Sequence, residues 1–295
     1  MIYTVTFNPA IDYCLKTQNL EFGKTNRSTK EQMYFGGKGI NVSLVLKELE
    51  TPSIALGFVA GFTGIELENR LKKSGITTDF IHLKHGNTRI NVKLKGETET
   101  EINADGPEIS NEEIKLLFEK LKSLQDGDTL VLAGSIPKSL SSDTYEKILE
   151  SLSEKDIKIV VDATGNLLIN TLKFKPFLIK PNLFELQDIF KKELESEQEI
   201  VECAKTLQEK GAKNVLVSLG ENGAIFVSED GKIYIQKALG GKAVNTVGAG
   251  DSMIAGFLSG IDKGTEYALK LSLAAAGATA TLDTLATKEK IYELM

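Results

Sequence analysis

Val247-Gly248-Ala249-Gly250-Asp251-Ser252-Met253-Ile254-Ala255-Gly256-Phe257-Leu258 joins a glycine turn to a run with helical periodicity. Met253, Ile254, Phe257, Leu258 and Ile261 recur at the spacing of one helix face, so Asp251 falls in the first turn with the glycines just ahead of it. Gly248 and Gly250 permit a tight turn that leaves backbone N–H groups bare, and such groups at a helix start attract anions. A carboxylate beside an anion-binding turn suits phosphoryl transfer, with the carboxylate taking the proton of an attacking hydroxyl. The alternative is that the glycines only shape a loop and Asp251 caps the helix. The stretch is not a Walker A loop, since Gly-x-x-x-x-Gly-Lys followed by Ser or Thr is absent, and its place near the end of the chain speaks against a dinucleotide fingerprint.

Outward from this turn the chain alternates in kind. Ile2 to Phe7, Ile54 to Val59, Leu130 to Ala133, Ile157 to Val161 and Val215 to Leu219 read as short buried strands. Ile40 to Leu49, Ile65 to Lys73, Glu112 to Leu124, Thr144 to Leu152 and Glu197 to Lys210 read as amphipathic crossover helices between them. This alternation predicts an α/β fold with a mainly parallel central sheet flanked by helices. One region breaks the rhythm: residues 89–95 and 99–103 alternate polar and apolar around Gly96-Glu97, as a hairpin does. With extended candidates at Tyr13 to Thr17 and Ser28 to Phe35, it makes a small β-sheet lid, inserted at about 12–35 and 88–104 of a single domain spanning residues 1–295.

The bulk numbers exclude several classes. Of 295 residues, 41% are hydrophobic and 26% charged, and no apolar run is long enough to span a membrane. The opening residues lack the basic start and cleavage region of a signal peptide, which points to the cytoplasm. A net charge of −6 disfavours a nucleic-acid surface. Cys14 and Cys203 lack the spacing of a disulfide framework or a zinc site, and His82 and His85, the only histidines, have neither a third histidine nor a carboxylate cluster nearby.

Other stretches carry weaker chemistry. Gly36-Gly37-Lys38-Gly39 also precedes a helical run, with Asn41 in its first turn, and reads either as close backbone approach to a polyhydroxylated ligand or as a hinge. Asp12, after Asn8-Pro9, either bonds sugar hydroxyls through two oxygens or forms a turn. Asn182 and Glu185 stand three apart, on one face of a helix. The run Ser218 to Gly223 follows a strand as a glycine-rich turn, and Ala274 to Ala280 is small enough for close helix packing.

Taken in order, TVTFNPAID, GGKGINVSLVLKEL, KPNLFEL and NTVGAGDSMIAGFL resemble the ribokinase/PfkB family of carbohydrate kinases along nearly the whole chain. The resemblance implies a ribokinase-like fold, ATP and Mg2+ as cofactors, and a phosphosugar as acceptor. TRINVKLK followed by ETEINADGP is most similar to members that phosphorylate fructose 1-phosphate, with tagatose 6-phosphate as the alternative substrate and a non-catalytic sugar-phosphate sensor as a remote one. It also implies Asp251 as catalytic base and Gly248, Ala249 and Gly250 as the anion hole. Asp12, Gly37, Lys38 and Asn41 would hold the sugar. Arg89 would contact its phosphate, and Arg27 would do the same work, from this chain or from a partner subunit. Lys180, Asn182, Ser218, Gly220 and Gly223 would meet the nucleotide, with the adenine against Ala274 to Ala280. Glu185 would act on magnesium, directly or through water. Exposed edges and an apolar face on the lid suggest a homodimer paired through it.

Overall fold

The computed structural model describes residues 1–18, 20–96 and 98–295. The chain opens with β1 (Ile2–Thr6), then β2 (Ala10–Lys16) and β3 (Lys30–Gly36), which leads directly into α1 (Lys38–Glu48). There follow β4 (Ser53–Ala60), α2 (Gly61–Lys73), the short β5 (Thr77–Thr78) and β6 (Ile81–Leu83), and a pair β7 (Arg89–Lys95) and β8 (Glu99–Ile102). The middle of the chain holds α3 (Asn111–Lys122), β9 (Thr129–Ala133), α4 (Thr144–Ser151), β10 (Lys158–Asp162), α5 (Gly165–Ile169), β11 (Leu178–Ile179), α6 (Leu183–Phe190) and α7 (Glu197–Glu209). The last third adds β12 (Asn214–Ser218), β13 (Ala224–Val227), β14 (Ile233–Gln236), α8 (Ala249–Gly260), α9 (Thr265–Ala280) and α10 (Lys288–Glu293).

Among the described residues these strands form two sheets. The large one runs β14-β13-β12-β11-β10-β9-β1-β4-β5, with β6 paired to β4. It is parallel from β12 to β4 and onward to β5 and β6, and antiparallel only at β12–β13 and β13–β14. Alternate residues of its strands face opposite helical layers, as the two-residue period of a strand requires. Leu130, Leu132 and Val161 meet α3, α4 and α7 through Leu117, Leu121, Ile148 and Leu207. Val131, Ala133, Val160 and Leu216 meet α1, α8 and α9 through Val45, Ile254, Phe257 and Leu273. Burial on both faces explains why these strands read in the sequence as continuous apolar runs.

The small sheet has the order β3-β2-β7-β8, with β2 parallel to β7 and the outer pairs antiparallel. Both segments expected to form it do so. Its strands differ in extent: β2 starts at Ala10 and β3 at Lys30. The β7–β8 hairpin pairs Val92 with Ile102 as its alternation requires, although Glu97, in the expected turn, lies outside the described residues. The antiparallel edge β13–β14 is an addition that the alternating pattern did not announce, since four-residue strands at an edge carry little periodic signal.

Candidate active site

The carboxyl ends of β1, β9, β10 and β11 point to one rim, where α1, α6 and α8 begin. Open parallel sheets bind ligands at such a rim. The Oγ1 of Thr6, closing β1, accepts the N–H of Ile40 at 3.0 Å and pins the first turn of α1 to the sheet. Gly39 permits this contact: a Cβ there would stand 2.8 Å from the Val5 carbonyl oxygen and 2.7 Å from Thr6 Oγ1. So anchored, α1 presents Asn41, whose Nδ2 donates to Oδ2 of Asp251 at 2.8 Å. The two glycine clusters, 210 residues apart, meet through this bond.

Asp251 occupies the third position of α8, after a left-handed Gly248 (φ 81°), and no side chain caps that helix. The capping alternative for Asp251 is thereby excluded; its carboxylate turns away from its own helix start toward Asn41. Gly248 supplies a conformation that side chains seldom adopt, and a Cβ there would also lie 2.4 Å from Leu285 Cδ2. In the first turn, the N–H of Ala249 donates to Thr246 O at 3.2 Å. The N–H groups of Gly248, Gly250 and Asp251 have no acceptor among the described residues, so of 248–250 only Ala249 commits its N–H within the turn.

A residue that the sequence reading missed organises the charge. Asp162, the last residue of β10, is buried and lies 3.4 Å from the ammonium groups of both Lys38 and Lys180. Neither contact has hydrogen-bond geometry, and both carboxylate oxygens are otherwise without a partner among the described residues. Burial works to raise its proton affinity, but Lys180 and Lys38 overcome this and hold the carboxyl below the usual carboxylate range. Lys38 in turn is carried above the ordinary lysine value, because Asp162, Asp251 and Glu185 outweigh its own desolvation. Asp251 behaves oppositely: burial first, and then the charge of Asp162, push its pKa up to about 6, against the Asn41 hydrogen bond and the two lysines. Two carboxylates driven apart in this way mark an acid–base site. The only signal for Asp162 in the sequence was its position at the end of a buried strand.

Asp12 sits on β2 with Oδ1 accepting from Asn91 Nδ2 at 2.8 Å and Oδ2 3.6 Å from Lys93 Nζ. With Gly36, Gly37 and Asn41 it lines a cavity of about 490 Å3 between the small sheet, α1 and the 284–287 segment. That volume spreads outward along α1 and omits Asp251; the polar cluster, not the volume, locates the chemistry. Arg89, half-buried, donates from Nη1 to Ala104 O at 3.3 Å, while its Nε is buried without a partner among the described residues. It lines a separate hollow with Asn87 and Gly106, and burial lowers its pKa against the pull of Asp12 and Asp105. Arg27 is not brought to this cluster. It lies in the exposed loop joining β2 to β3, beyond the far end of β2, which rises roughly 20 Å over its length.

On the other side, Lys180 is 5% exposed and packs against Gly250, where a Cβ would come within 3.0 Å of Nζ. Asn182 and Glu185 form a closed capping box on α6: Asn182 Oδ1 accepts the Glu185 N–H at 2.8 Å and Glu185 Oε2 accepts the Asn182 N–H at 2.9 Å. Ser218 ends β12 and bridges to Asn182. Gly220 faces open space, whereas Gly223 is a glycine for the sake of packing, since a Cβ there would meet Gln236 O at 2.0 Å. Gly256 and Gly260 of α8 let α9 approach closely, since a Cβ at Gly256 would lie 2.5 Å from Leu271 O and one at Gly260 2.7 Å from Ala268 Cα, and Gly277 of α9 admits the Leu239 carbonyl oxygen to 1.9 Å of where a Cβ would be.

No group of three or more His, Cys, Asp or Glu among the described residues could hold a metal ion by itself. The donor set suits magnesium that arrives on a nucleotide, because such an ion keeps several waters and needs one or two carboxylates. Glu185 keeps one oxygen outside its capping box. Cys14 and Cys203 are free thiols, and His82 pairs with Glu68 at 2.8 Å, away from the cluster.

Comparison with known proteins agrees with this geometry. Residues 4–290 match the family model described as pfkB family carbohydrate kinase. The 1-phosphofructokinase of Bacillus subtilis is 46% identical over all of this chain and 97% of its own length. The D-tagatose-1-phosphate kinase of Bacillus licheniformis is 36% identical over 95% of this chain and 92% of its own. Phosphofructokinase-2 from Escherichia coli, solved in complex with substrates and products, superposes with a TM-score of 0.93 at 26% identity, over 99% of this chain and 97% of that one. A ribokinase-like sheet, a small second sheet and a match along nearly its whole length leave one conclusion: the chain belongs to the pfkB family of carbohydrate kinases.

Proposed function

We infer that this protein transfers the γ-phosphoryl group of ATP to the free primary hydroxyl of fructose 1-phosphate, giving fructose 1,6-bisphosphate and ADP. The observation that carries the chemistry is Asp251, buried and uncapped at the start of α8 in a turn whose Gly248, Gly250 and Asp251 N–H groups have no acceptor among the described residues. The 46% identity with a 1-phosphofructokinase supports the acceptor. Asp251 takes the hydroxyl proton as the sugar oxygen bonds to the γ-phosphorus and the bond to the β,γ-bridging oxygen breaks, leaving ADP. With a pKa of about 6 it is mostly ionised at neutral pH and still a stronger base than a free carboxylate. Lys38 and Lys180, held by Asp162, and the N–H groups of Gly250 and Asp251 oppose the negative charge of the transferring group. Magnesium, when bound, neutralises the nucleotide phosphates.

In this reading Asp12, Gly37, Lys38 and Asn41 hold the sugar and Arg89 takes its 1-phosphate. Lys180, Asn182, Ser218, Gly220 and Gly223 meet the nucleotide, and Glu185 reaches magnesium through water. The small sheet acts as a lid that excludes water from the transfer. Met33, Ile90 and Ile102 are exposed on the face of that sheet opposite Asp12 and Lys93, which supports a homodimer paired through it. Such pairing is what would bring Arg27 to the partner's site. No described helix is long and apolar enough to cross a membrane; the kinase acts in the cytoplasm as a single domain.

The Bacillus licheniformis relative supports a second acceptor, D-tagatose 1-phosphate, which also presents a free 6-hydroxyl and differs from fructose 1-phosphate at C4. This takes the place of tagatose 6-phosphate as the competing tagatose. A coupled assay of ADP release with fructose 1-phosphate, tagatose 1-phosphate and tagatose 6-phosphate tests the assignment. The highest kcat/KM is expected for fructose 1-phosphate, and a higher value for either tagatose phosphate would overturn it.

A further inference from the structure

Three alternate residues of β7, Arg89, Asn91 and Lys93, share the face of the small sheet on which Asp12 stands, because β2 and β7 run parallel with Asp12 opposite Asn91 and Cys14 opposite Lys93. Arg89 leaves its buried Nε without a partner among the described residues. Lys93 is committed instead. It is only 8% exposed, and its Nζ lies 3.6 Å from Asp12 Oδ2 and 3.2 Å from Glu101 Oε1. A lysine rarely accepts such burial without paired charge. Desolvation works to lower its pKa, yet Asp12 and Glu101 carry it above the ordinary value, so the ammonium stays charged.

Central strand β7 therefore reaches both neighbours through one side chain, Asp12 on β2 and Glu101 on β8. Asn91 holds the other oxygen of Asp12 and accepts the Ala104 N–H at 3.2 Å, which ties the same carboxylate to the segment leaving β8. Both oxygens of Asp12 are thus fixed at the wall of the cavity.

We propose that Lys93 is a positioning residue for phosphosugar recognition, holding the Asp12 carboxylate in its sugar-binding orientation and tethering it through Glu101 to the edge of the small sheet. This rests on the assignment of Asp12 to the sugar. Arg89 and Lys93, two residues either side of Asn91, differ in place: Lys93 lines the cavity with Asp12, and Arg89 lines the neighbouring hollow.

The test is steady-state kinetics of Asp12→Ala, Lys93→Met, Lys93→Arg and the double variant Asp12→Ala/Lys93→Met, with KM measured separately for fructose 1-phosphate and ATP. Asp12→Ala and Lys93→Met are each expected to raise the sugar KM about tenfold or more, with kcat and the KM for ATP within about threefold of the parent. The double variant should be no worse than Asp12→Ala alone, and Lys93→Arg should recover most of the loss. Multiplying effects in the double variant, or an unchanged sugar KM in Lys93→Met beside an impaired Asp12→Ala, overturns the role of Lys93. An unchanged sugar KM in Asp12→Ala overturns the assignment of Asp12, and the proposal with it. Glu101→Gln, at a more exposed site, reads the same tether if Lys93→Met does not fold: a sugar KM raised about threefold supports it, and an unchanged one overturns it.

Discussion

Helices α6 and α8 both begin at the same rim of the large sheet, and their first turns are finished in opposite ways. At α6, Asn182 and Glu185 satisfy each other's backbone in a capping box, so the N–H at the third helical position is met from within the chain. At α8, a left-handed glycine takes the cap position, no side chain caps the turn, and the one carboxylate in it bonds Asn41 instead. Four N–H groups at a helix start want acceptors. The side-chain cap of α6 closes the N–H of Glu185, whereas the corresponding N–H of α8, on Asp251, meets no side-chain cap and keeps room for an anion. The sequences share an acid three residues after the cap and differ at the cap itself, Asn182 before Glu185 and Gly248 before Asp251, and the roles diverge with that residue.

The sharpest way to break this contrast is Asp251→Asn. Turnover should fall about 10²–10⁴-fold with the KM values little changed, and near-normal turnover would remove Asp251 as the base. The same substitution should raise stability at neutral pH. A carboxylate with a folded pKa of about 6, above its unfolded value near 3.8, favours the unfolded chain increasingly as pH rises between those values. The melting temperature of Asp251→Asn should therefore exceed that of the parent at pH 8, with the gap closing toward pH 4.

Next in size is Gly250→Ala, which places a methyl group 3.0 Å from Lys180 Nζ inside the open turn. We expect a loss of roughly 10–100-fold in kcat/KM for ATP from displacement of that ammonium, with the fold retained. A melting curve shifted as far as the activity would instead assign Gly250 to packing.

Acidity probes the same turn with a smaller effect. Because the base must be ionised, kcat/KM should drop about tenfold per pH unit below about 6. Asn41→Ala removes a hydrogen bond that favours the charged form and should move this limb to higher pH; a shift to lower pH would contradict the bond's role.

The smallest effect belongs to α6. Asn182→Ala opens the capping box and should cost about 1 kcal/mol, a shift of roughly 2 °C in thermal melting. A kinetic defect at saturating ATP much larger than this stability loss would show that the box also serves the nucleotide.

Much of the architecture was legible in the chain. The buried strands β1, β4, β9, β10 and β12 and the amphipathic helices between them have long or strongly apolar signatures, because each must satisfy a two-faced layer. The small sheet was legible through the alternation of β7 and the break in rhythm around it. β13 and β14, at the edge, are too short to announce themselves. Asp251 and Asn41 could be picked out as candidates from their glycine clusters. Asp162 could not, since a lone Asp at a strand end carries no motif, and nor could Lys93, since polar/apolar alternation does not show which lysine is buried between two carboxylates.

By itself the sequence determined the alternation of the main buried strands and crossover helices, the two glycine turns and the family, because periodicity and motif spacing are local properties that survive without a fold. The tertiary structure alone decided that Asn41 meets Asp251, that Asp162 stands between Lys38 and Lys180, that Ala249 spends its N–H on Thr246, and that Lys93 is buried between Asp12 and Glu101. Those facts depend on which distant residues share a desolvated space. Charge and proton affinity are set by that space, not by position along the chain.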